Sequence, residues 1–433
     1  MKNQSFTLRS RTFLVGLAFV LLFVALNIRT QPAMAATCTW TGAVSSSWSN
    51  PGNWSGCGGG IPTSADAVVI PSSGVTNSPI IDIATITIQS LTINSNLSLG
   101  NSVTISVGTI AIGRGTLALG SSNLTINGPT TINLTASSPG SSAEIIGSGK
   151  VRTVGAVTIV VSGSGNSRFS APLEVVSGTT TASTEINGTF NGPMTILSGA
   201  TLQVPAGGNL LIYGDITANG TIVGNGTLEF RGAALTNNGA VSTANLLFNR
   251  SGTQSIGGNG LWTSGSWTIK STVGLSNDIT VEISTLTIPS GGGLELGSSN
   301  LTINGPTTIN LTASSPGSSA EIIGSGKVRT VGAVTIVVSG SGNSRFSAPL
   351  EVVSGTTTAS TEIYGTFSVI TVLSDAVLEI SGGKSLRMNE NLTVYGTVDG
   401  NGTLDFKGPA VSNDGTIRVS SFRFFALFNS TSS

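Results

Sequence analysis

The sequence contains no histidine in its 433 residues, and this absence limits the chemistry that the chain can perform. Nucleophilic catalysis by Ser/His/Asp or Cys/His groups lacks its usual base here. A zinc site lacks ligands as well, because the chain has only two cysteines and no histidine. We therefore predict no cofactor and no metal site.

Charged residues are also scarce, and long apolar runs are confined to the N-terminus. Charged residues make up 9% of the chain, whereas soluble proteins typically have about 25%. The sequence has no clustered basic patch of the kind that nucleic acid requires, so we predict no nucleic-acid partner. After the first 35 residues, we find neither a run long enough to span a membrane nor an apolar stripe with a helical period.

The N-terminus has the features of a secretion signal. Three basic residues precede an apolar run from Phe13 to Ile28, and the small residues of Ala33-Met34-Ala35 form a cleavage site. A membrane anchor is the alternative, but the run is shorter than the roughly 20 residues that a span needs. Cleavage would remove four basic residues and no acid, leaving 15 basic and 19 acidic residues and a net charge of −4. We predict a secreted or cell-surface protein without a membrane span.

The two cysteines, Cys38 and Cys57, lie in a short segment that also holds three of the five tryptophans. Export permits a disulfide. Pairing would close a loop of about 20 residues, which stabilises the fold by about 3 kcal/mol in the chain-entropy model. We predict that residues 36–63 form a disulfide-stapled N-terminal cap.

A long, nearly identical repeat is the most informative feature that the sequence does contain. The stretch from Leu119 to Phe190 recurs from Leu296 to Phe367 and is identical at every position but one. The one difference is Asn187 against Tyr364. An added unit lengthens a stack without disturbing its neighbours, whereas chemistry performed once per chain needs no second copy. The repeat therefore favours a scaffold over an enzyme.

Short segments in which β-branched residues alternate with Thr or Ser predict an all-β fold. Thr85–Ile88, Val103–Val107 and Val157–Val160 have this period of two, and Gly- and Asn-rich turns separate them. We predict a right-handed parallel β-helix (a β-solenoid) of roughly 20–25 residues per turn, with roughly eight turns in each repeat offset. A row of immunoglobulin-like sandwiches is the alternative. It requires a buried Trp or Tyr in each domain, but residues 64–260 contain no tryptophan and a single tyrosine, Tyr213.

The repeat and the cap together divide the chain into six segments. These are a signal peptide (1–35), the cap (36–63), lead-in coils (64–115), a first repeat unit (116–251), bridging coils (252–292) and a second repeat unit (293–433). The second unit stops where the first continues into the bridge. Two alternatives stay open for it: a truncated unit, or a final coil that blocks further stacking with its own phenylalanines.

Two segments resemble a known kind of protein. The pattern that begins at Trp40 and runs through Ser47–Trp54 to Ile61–Pro71 resembles the N-terminal segment of large secreted bacterial surface proteins. The stretch Leu247–Ile256 resembles the repeats of the same proteins, which are adhesin-like or autotransporter-like β-solenoids. The resemblance implies a β-solenoid at the bacterial surface.

One charged grouping, present in both copies, is the candidate site. It comprises Glu144, Lys150 and Arg152 in the first copy and Glu321, Lys327 and Arg329 in the second. Arg168 and Glu174 follow in the first copy, and Arg345 and Glu351 in the second. Polysaccharide lyases and hydrolases built on β-helices use clustered acidic residues, either as general acid and base or as calcium ligands with a basic residue beside them. The simpler interpretation is a solvated charged stripe, with two equivalent patches on one face, as in a multivalent binder.

These observations favour a structural or adhesive surface protein over an enzyme. Its Ser/Thr/Asn-rich faces would contact extracellular glycans or other cell-surface molecules. A polysaccharide lyase or hydrolase is the alternative, and it should gather three or more charged residues in one groove. An ice-binding surface is disfavoured, because it needs pairs of threonines in register over many turns and the spacing of Thr-x-Thr patterns such as Thr85-Ile-Thr87 is irregular.

Overall fold

The computed structural model describes residues 35–361 and 365–425. In these residues the chain forms a β-solenoid of about 17 turns, made almost wholly of parallel strands. The described part contains no α-helix and one short 3-10 helix, Pro51–Asn53. The predicted β-solenoid is confirmed, and its predicted right hand stays a prediction.

The strands are short and are numbered along the chain. The cap and the lead-in coils contain Thr37–Trp40 (β1), Trp54–Ser55 (β2), Ala67–Ile70 (β3), Ile80–Ile81 (β4), Thr85–Ile93 (β5), Leu97–Leu99 (β6) and Val103–Ile112 (β7). The coils up to the bridge contain Gly115–Ala118 (β8), Leu124–Asn127 (β9), Thr130–Ala136 (β10), Ser142–Ile146 (β11), Val151–Val154 (β12), Val157–Gly163 (β13), Asn166–Phe169 (β14), Leu173–Ser177 (β15), Thr179–Thr184 (β16), Gly188–Phe190 (β17), Met194–Ile196 (β18), Thr201–Gln203 (β19), Asn209–Ile212 (β20), Ile216–Ala218 (β21), Thr221–Phe230 (β22), Ala234–Asn237 (β23) and Ala240–Phe248 (β24).

The remaining strands belong to the bridge and the second unit. The bridge contains Gln254–Gly257 (β25), Leu261–Trp262 (β26), Ser266–Ile269 (β27), Thr272–Leu275 (β28), Ile279–Val281 (β29) and Thr285–Pro289 (β30). The second unit contains Gly293–Glu295 (β31), Leu301–Asn304 (β32), Thr307–Ala313 (β33), Ser319–Ile323 (β34), Val328–Val331 (β35), Val334–Gly340 (β36), Asn343–Phe346 (β37), Leu350–Thr361 (β38), Thr366–Phe367 (β39), Ile370–Val372 (β40), Ala376–Glu379 (β41), Ser385–Met388 (β42), Leu392–Val394 (β43), Thr397–Phe406 (β44), Val411–Asn413 (β45) and Thr416–Phe424 (β46).

Each turn of the coil has three faces, and each face is a parallel sheet. The first face contains β9, β12, β15 and β18, the second contains β10, β13, β16 and β19, and the third contains β11, β14, β17 and β20. Longer strands such as β22 bend round a corner, so that one half pairs on the second face and the other on the third. The three faces therefore follow one another in order along the chain.

The period of two in the sequence places one set of side chains inside the coil. In β10, Ile132 and Leu134 are fully buried, whereas Thr131 and Asn133 point outward. Ile132 pairs with Ile159 one turn further on, so aliphatic side chains stack in ladders along the axis. Burying one such side chain contributes about 1.5–3 kcal/mol, and this stacking is repeated in almost every turn.

The turns differ in length, but the register between them is kept. The turn that leads from Ile132 to its partner Ile159 is longer than the turn that leads from Ile222 to its partner Val241. The corners absorb the difference, and they pass very close to the neighbouring turn. At Gly149, for example, a Cβ atom would lie 1.8 Å from the carbonyl oxygen of Ser122, so this corner requires glycine.

Outward-facing threonines are in register despite the irregular sequence spacing. On the second face, consecutive turns align Thr109, Thr131, Thr158 and Thr181. Thr-x-Thr pairs, in contrast, are not kept in register: Thr85 and Thr87 align with Thr104 and Ser106 on the next turn, and these align with Thr125 and Asn127. Extra residues enter the corners and leave the pairing of the faces unchanged.

The N-terminal coil is closed by a disulfide and a tryptophan cluster. Cys38 and Cys57 are bonded, with their Cα atoms 4.9 Å apart, which confirms the predicted pairing. The ring of Trp54 packs edge-on against Trp40 and Trp48, at centroid distances of 4.9 and 4.6 Å. The indole nitrogen of Trp54 donates to the carbonyl oxygen of Trp48 at 2.8 Å, so its polar atom is satisfied although the ring is buried.

Three predictions fall wholly or mostly outside the described residues. Only Ala35 of the predicted signal peptide is described, and neither Tyr364 nor residues 426–433 are described. The boundaries of the six predicted segments stay predictions. In residues 35–361 and 365–425, we find no helix with the length and apolar character of a membrane span.

Replacing both Cys38 and Cys57 with serine should loosen the cap and leave the middle of the coil unchanged. The disulfide closes a loop with a sequence separation of 19 residues. Its loss should lower the free energy of opening the cap by about 3 kcal/mol. Because each turn contacts only its neighbours, hydrogen exchange should rise in residues 36–70 but not in residues 200–250. An equal rise in both regions would contradict this prediction.

Candidate functional site

The structure brings Lys150 and Arg152 together with Glu174 on the first face. Arg152 in β12 pairs in register with Glu174 in β15, one turn further along the axis. The Nζ atom of Lys150 lies 2.5 Å from Oε2 of Glu174, and Nε of Arg152 lies 2.8 Å from Oε1. Each carboxylate oxygen therefore has its own cationic donor. We call these three residues the Glu174 clamp.

The second copy forms the same arrangement, which we call the Glu351 clamp. The ammonium group of Lys327 contacts Oε2 of Glu351, and Nε of Arg329 lies 2.8 Å from Oε1. The side chain of Glu351 is 10% exposed, as is that of Glu174. Both carboxylates are thus largely shielded from water and held by two cations.

The pKa values of the two clamp carboxyls are lowered from their ordinary value. For Glu174, the hydrogen bond from Lys150 lowers the pKa by more than burial raises it, and Arg152 lowers it further. For Glu351, burial raises the pKa, but the hydrogen bonds and charges of Lys327 and Arg329 together outweigh it. Both carboxyls are therefore ionised at neutral pH.

An ionised, fully engaged carboxylate is poorly suited to the chemistry of a polysaccharide-cleaving enzyme. A general acid must hold a proton near the working pH, and neither clamp carboxyl does. A calcium site needs six to eight oxygen ligands. Residues 35–361 and 365–425 contain no group of three or more His, Cys, Asp or Glu residues that could hold a metal ion. The clamps are suited to joining adjacent turns.

The grouping predicted from the sequence is divided between two faces. Glu144 lies in β11 on the third face and pairs in register with Arg168 of β14. Nη1 of Arg168 lies 3.9 Å from Oε1 of Glu144. Lys150 and Arg152 lie past the next corner, on the first face. Glu321 of the second copy likewise pairs in register with Arg345. Arg152 and Glu174 are separated by 22 residues, which is one turn of the coil. This spacing is the signal in the sequence that could have identified the clamp.

The two clamps face different directions, because the repeat offset is not a whole number of turns. Starting from β9, eight successive pairings on the first face lead through β12, β15, β18, β21, β23, β25 and β28 to β31. The copy of β9 is β32, the next strand, which lies on the second face. The expectation of two equivalent patches on one face is therefore wrong. The copies lie about 40 Å apart along the axis, at about 4.8 Å per turn, and a third of a turn apart around it.

Asn187, the only residue of the first copy that differs, occupies an exposed corner. Its φ angle is 56°, in the left-handed region that asparagine tolerates better than most residues. Its side-chain nitrogen donates to the carbonyl oxygen of Gly163 at 3.4 Å. Its counterpart Tyr364 is outside the described residues.

Outward hydroxyl groups form rows on all three faces, and these rows have a counterpart in each repeat unit. On the second face, the row consists of Thr109, Thr131, Thr158 and Thr181. On the third face, it consists of Thr285, Thr308, Thr335 and Thr358. A shorter row on the first face consists of Thr195, Thr217 and Thr236. We call these the threonine rows.

Two shallow grooves lie along the corners of the coil. One, of about 600 Å³, is lined by Tyr213, Arg231, Asn249, Arg250 and Ser251. The other, of about 570 Å³, is lined by residues that include Arg345, Asn389 and Glu390. Each groove has two charged residues in its lining, Arg231 and Arg250 in the first and Arg345 and Glu390 in the second. Neither groove is evident from the sequence, because the lining residues of each lie about one turn apart along the chain.

Comparison with known proteins gives one match. A family model described as a domain of unknown function (DUF8693) matches residues 39–128, which hold the tryptophan cluster and the first coils. The match covers about a fifth of the chain and does not include either clamp. No curated protein and no solved structure matches the chain.

Replacing both Glu174 and Glu351 with glutamine should destabilise the coil at neutral pH and have less effect in acid. A carboxyl whose pKa is lowered on folding contributes stability above its unfolded pKa of about 4.5, and this contribution is lost as the pH falls through the folded pKa. We expect a loss of about 1–2 kcal/mol per clamp at pH 7, since the cations are half exposed.

Urea unfolding at several pH values from neutral down to about 3 measures this difference. The gap between the wild type and the double variant should narrow below pH 4.5, the ordinary value for glutamate. Glu185→Gln, which removes a charge from an exposed corner, is the control and should change stability little at any pH. Equal stability of the wild type and the double variant at neutral pH would show that the clamps do not stabilise the coil.

Proposed function

We propose that this protein is an exported, rod-like component of the cell surface that contacts hydroxyl-rich glycans through its threonine rows. The observation that carries the proposal is the register of these rows. Thr131 pairs with Thr158, and Thr158 with Thr181, so hydroxyl groups recur at about 4.8 Å along the axis. Each hydroxyl can both donate and accept a hydrogen bond, as can the hydroxyls of a sugar.

The rotation between the repeat units supports contact with more than one partner. Thr308, Thr335 and Thr358 are the copies of Thr131, Thr158 and Thr181, and they lie on the third face instead of the second. The two rows differ at one end, where Thr358 donates to Oε2 of Glu379 at 3.2 Å and Thr181 is aligned with Gln203. Matching rows that point in different directions cannot both lie on one flat surface. They are suited to bridging two partners, where linked weak contacts raise the overall affinity.

The N-terminal features support export. The basic residues, the apolar run and the small residues of Ala33-Met34-Ala35 form the pattern of a signal peptide. A disulfide that closes the first coil is typical of oxidising compartments. A rod stabilised by backbone ladders and aliphatic stacking is suited to the space outside the cell.

Expression in a secreting bacterial host should release a chain that begins at Ala36. Intact-mass measurement and N-terminal sequencing of the exported protein check this outcome. A chain that keeps Phe13–Ile28 and stays with the membrane fraction would contradict the prediction of a cleaved signal.

Removing the hydroxyls of one threonine row should weaken retention on insoluble polysaccharides such as cellulose, chitin and mannan. Thr131, Thr158 and Thr181 would be changed together to valine, which keeps the β-branched shape and the strand preference. We expect the retained fraction to fall severalfold. Adding the same changes at Thr308, Thr335 and Thr358 should lower retention further, because it removes the second row that can contact the polysaccharide from another side of the coil.

Serine substitutions at the same positions provide the matched control. They keep the hydroxyl groups and remove only the methyl groups, so retention should stay close to that of the wild type. Unchanged retention of the valine variants would contradict the proposal. Release of reducing or unsaturated ends from the polysaccharides would instead identify the protein as an enzyme.

A further inference from the structure

One corner of the coil stacks an aromatic ring, polar side chains and cations on consecutive turns. The backbone nitrogens of Tyr213, Arg231, Asn249 and Lys270 each donate to a carbonyl oxygen of the preceding turn, at 2.7, 2.7, 3.2 and 2.9 Å. Consecutive members are therefore one turn apart, or about 4.8 Å along the axis. Together with Arg250 and Ser251, we call this surface the Tyr213 corner.

The Tyr213 corner contains the groove of about 600 Å³, a size within the usual range for small-ligand sites. Tyr213 is 43% exposed and lines the groove, so its ring is accessible to a ligand. Beneath the corner, Phe230 and Phe248 pack edge-to-face at 6.3 Å in the core and hold the two strands that carry Arg231 and Asn249. The groove therefore lies on a rigid support.

Side-chain bonds within the corner fix Arg231 and Tyr213 in place. Nε and Nη2 of Arg231 lie 2.7 and 2.6 Å from Oε1 of Glu229, and Nη1 donates to the hydroxyl of Tyr213 at 2.8 Å. The guanidinium group also lies 5.4 Å from the centre of the Tyr213 ring. Asn249 donates to the same carboxylate at 3.0 Å. Glu229 thus neutralises Arg231 and orients the groove before any ligand binds.

Two further cations at this corner are not neutralised. In residues 35–361 and 365–425, no hydrogen bond or ion pair engages the side chains of Arg250 and Lys270. The nearby carboxylate of Asp215 accepts from the backbone nitrogens of Ala233 and Ala234, at 2.8 and 2.9 Å. The corner therefore presents an excess of positive charge in a chain that has as many acids as bases.

We propose that the Tyr213 corner binds a linear polysaccharide that carries carboxylate groups, with its chain along the axis of the coil. The exposed ring of Tyr213 supports a sugar ring, and Asn249 and Ser251 bond to its hydroxyls. The planar fork of Arg250 matches a carboxylate in a bidentate arrangement, and Lys270 meets the next one. The spacing of one turn is close to the length of one sugar ring. This inference rests on the proposed contact with glycans and identifies a class of glycan for one site.

The second repeat unit does not reproduce this surface. In the alignment that matches Asn225–Phe230 with Asn401–Phe406, the counterparts of Tyr213, Arg231 and Asn249 are Asn389, Lys407 and Phe425. There Nζ of Lys407 lies 5.1 Å from the centre of the Phe425 ring, so the aromatic ring follows the cation along the chain instead of preceding it. The site is thus specific to the first unit, and Lys407 offers a control for charge removal at an equivalent corner.

Binding of two matched oligosaccharides to the full-length mature protein tests the inference. A mannuronate hexamer and a mannose hexamer with the same linkage differ in the carboxylate groups. By isothermal titration calorimetry, we expect the mannuronate hexamer to bind at least about tenfold more tightly than the mannose hexamer. Arg250→Gln and Lys270→Gln should each weaken mannuronate binding severalfold, and together they should remove the preference for it.

Variants at Tyr213 and Lys407 distinguish a specific binding site from nonspecific attraction of basic side chains to an acidic oligosaccharide. Tyr213→Ala should weaken binding of both hexamers, whereas Lys407→Gln should change neither. Circular dichroism of each variant confirms that the coil is intact. Equal weakening by Lys407→Gln, absence of mannuronate binding, or tighter binding of a single-stranded oligonucleotide would each overturn the inference. Retention on neutral polysaccharides through the threonine rows is measured separately, so the proposed function can stand if this site fails.

Discussion

The parallel backbone ladder between successive turns is the constraint on which the rest of this structure depends. It places each inward side chain above the equivalent side chain of the previous turn, as Ile132, Ile159 and Ala182 illustrate. Mostly aliphatic side chains then fill the interior in stacks, together with buried aromatic rings such as those of Phe230 and Phe248. The ladder holds although the turns differ in length, because the corners absorb the difference. The fold can therefore accept extra residues at its corners without losing the register of its faces.

The same ladder organises the surface, because outward side chains are aligned from turn to turn as strictly as inward ones. Thr131, Thr158 and Thr181 become a row of hydroxyls, and Arg152 and Glu174 become an ion pair. The Tyr213 corner arises in the same way, from residues that are one turn apart. The contacts that we propose use rows along the axis and do not use an enclosed pocket. This geometry supports contact with long polymers.

The direction in which the second copy faces depends on how many strands the repeat offset contains. A copy displaced by whole turns would extend a surface along one side of the rod, and this is the natural expectation from two identical blocks. The actual offset contains eight turns and one further strand, so β32 lies on the second face whereas β9 lies on the first. Duplication has thus spread one surface around the rod. The bridging that we propose would follow from this rotation and not from any change of residue.

Sequence alone determined the features that depend on local pattern or on few alternatives. Alternating β-branched residues specify strands, tight Gly- and Asn-rich turns specify a coil, and two cysteines have one intramolecular pairing to form. Tertiary structure decided everything that depends on the number of residues in each turn, because that number varies and leaves no periodic signal. It separated Glu144 from Lys150, aligned the threonines and rotated the second copy. Each of these outcomes depends on which corners contain extra residues. Those corners are known only when the backbone pairing between successive turns is complete.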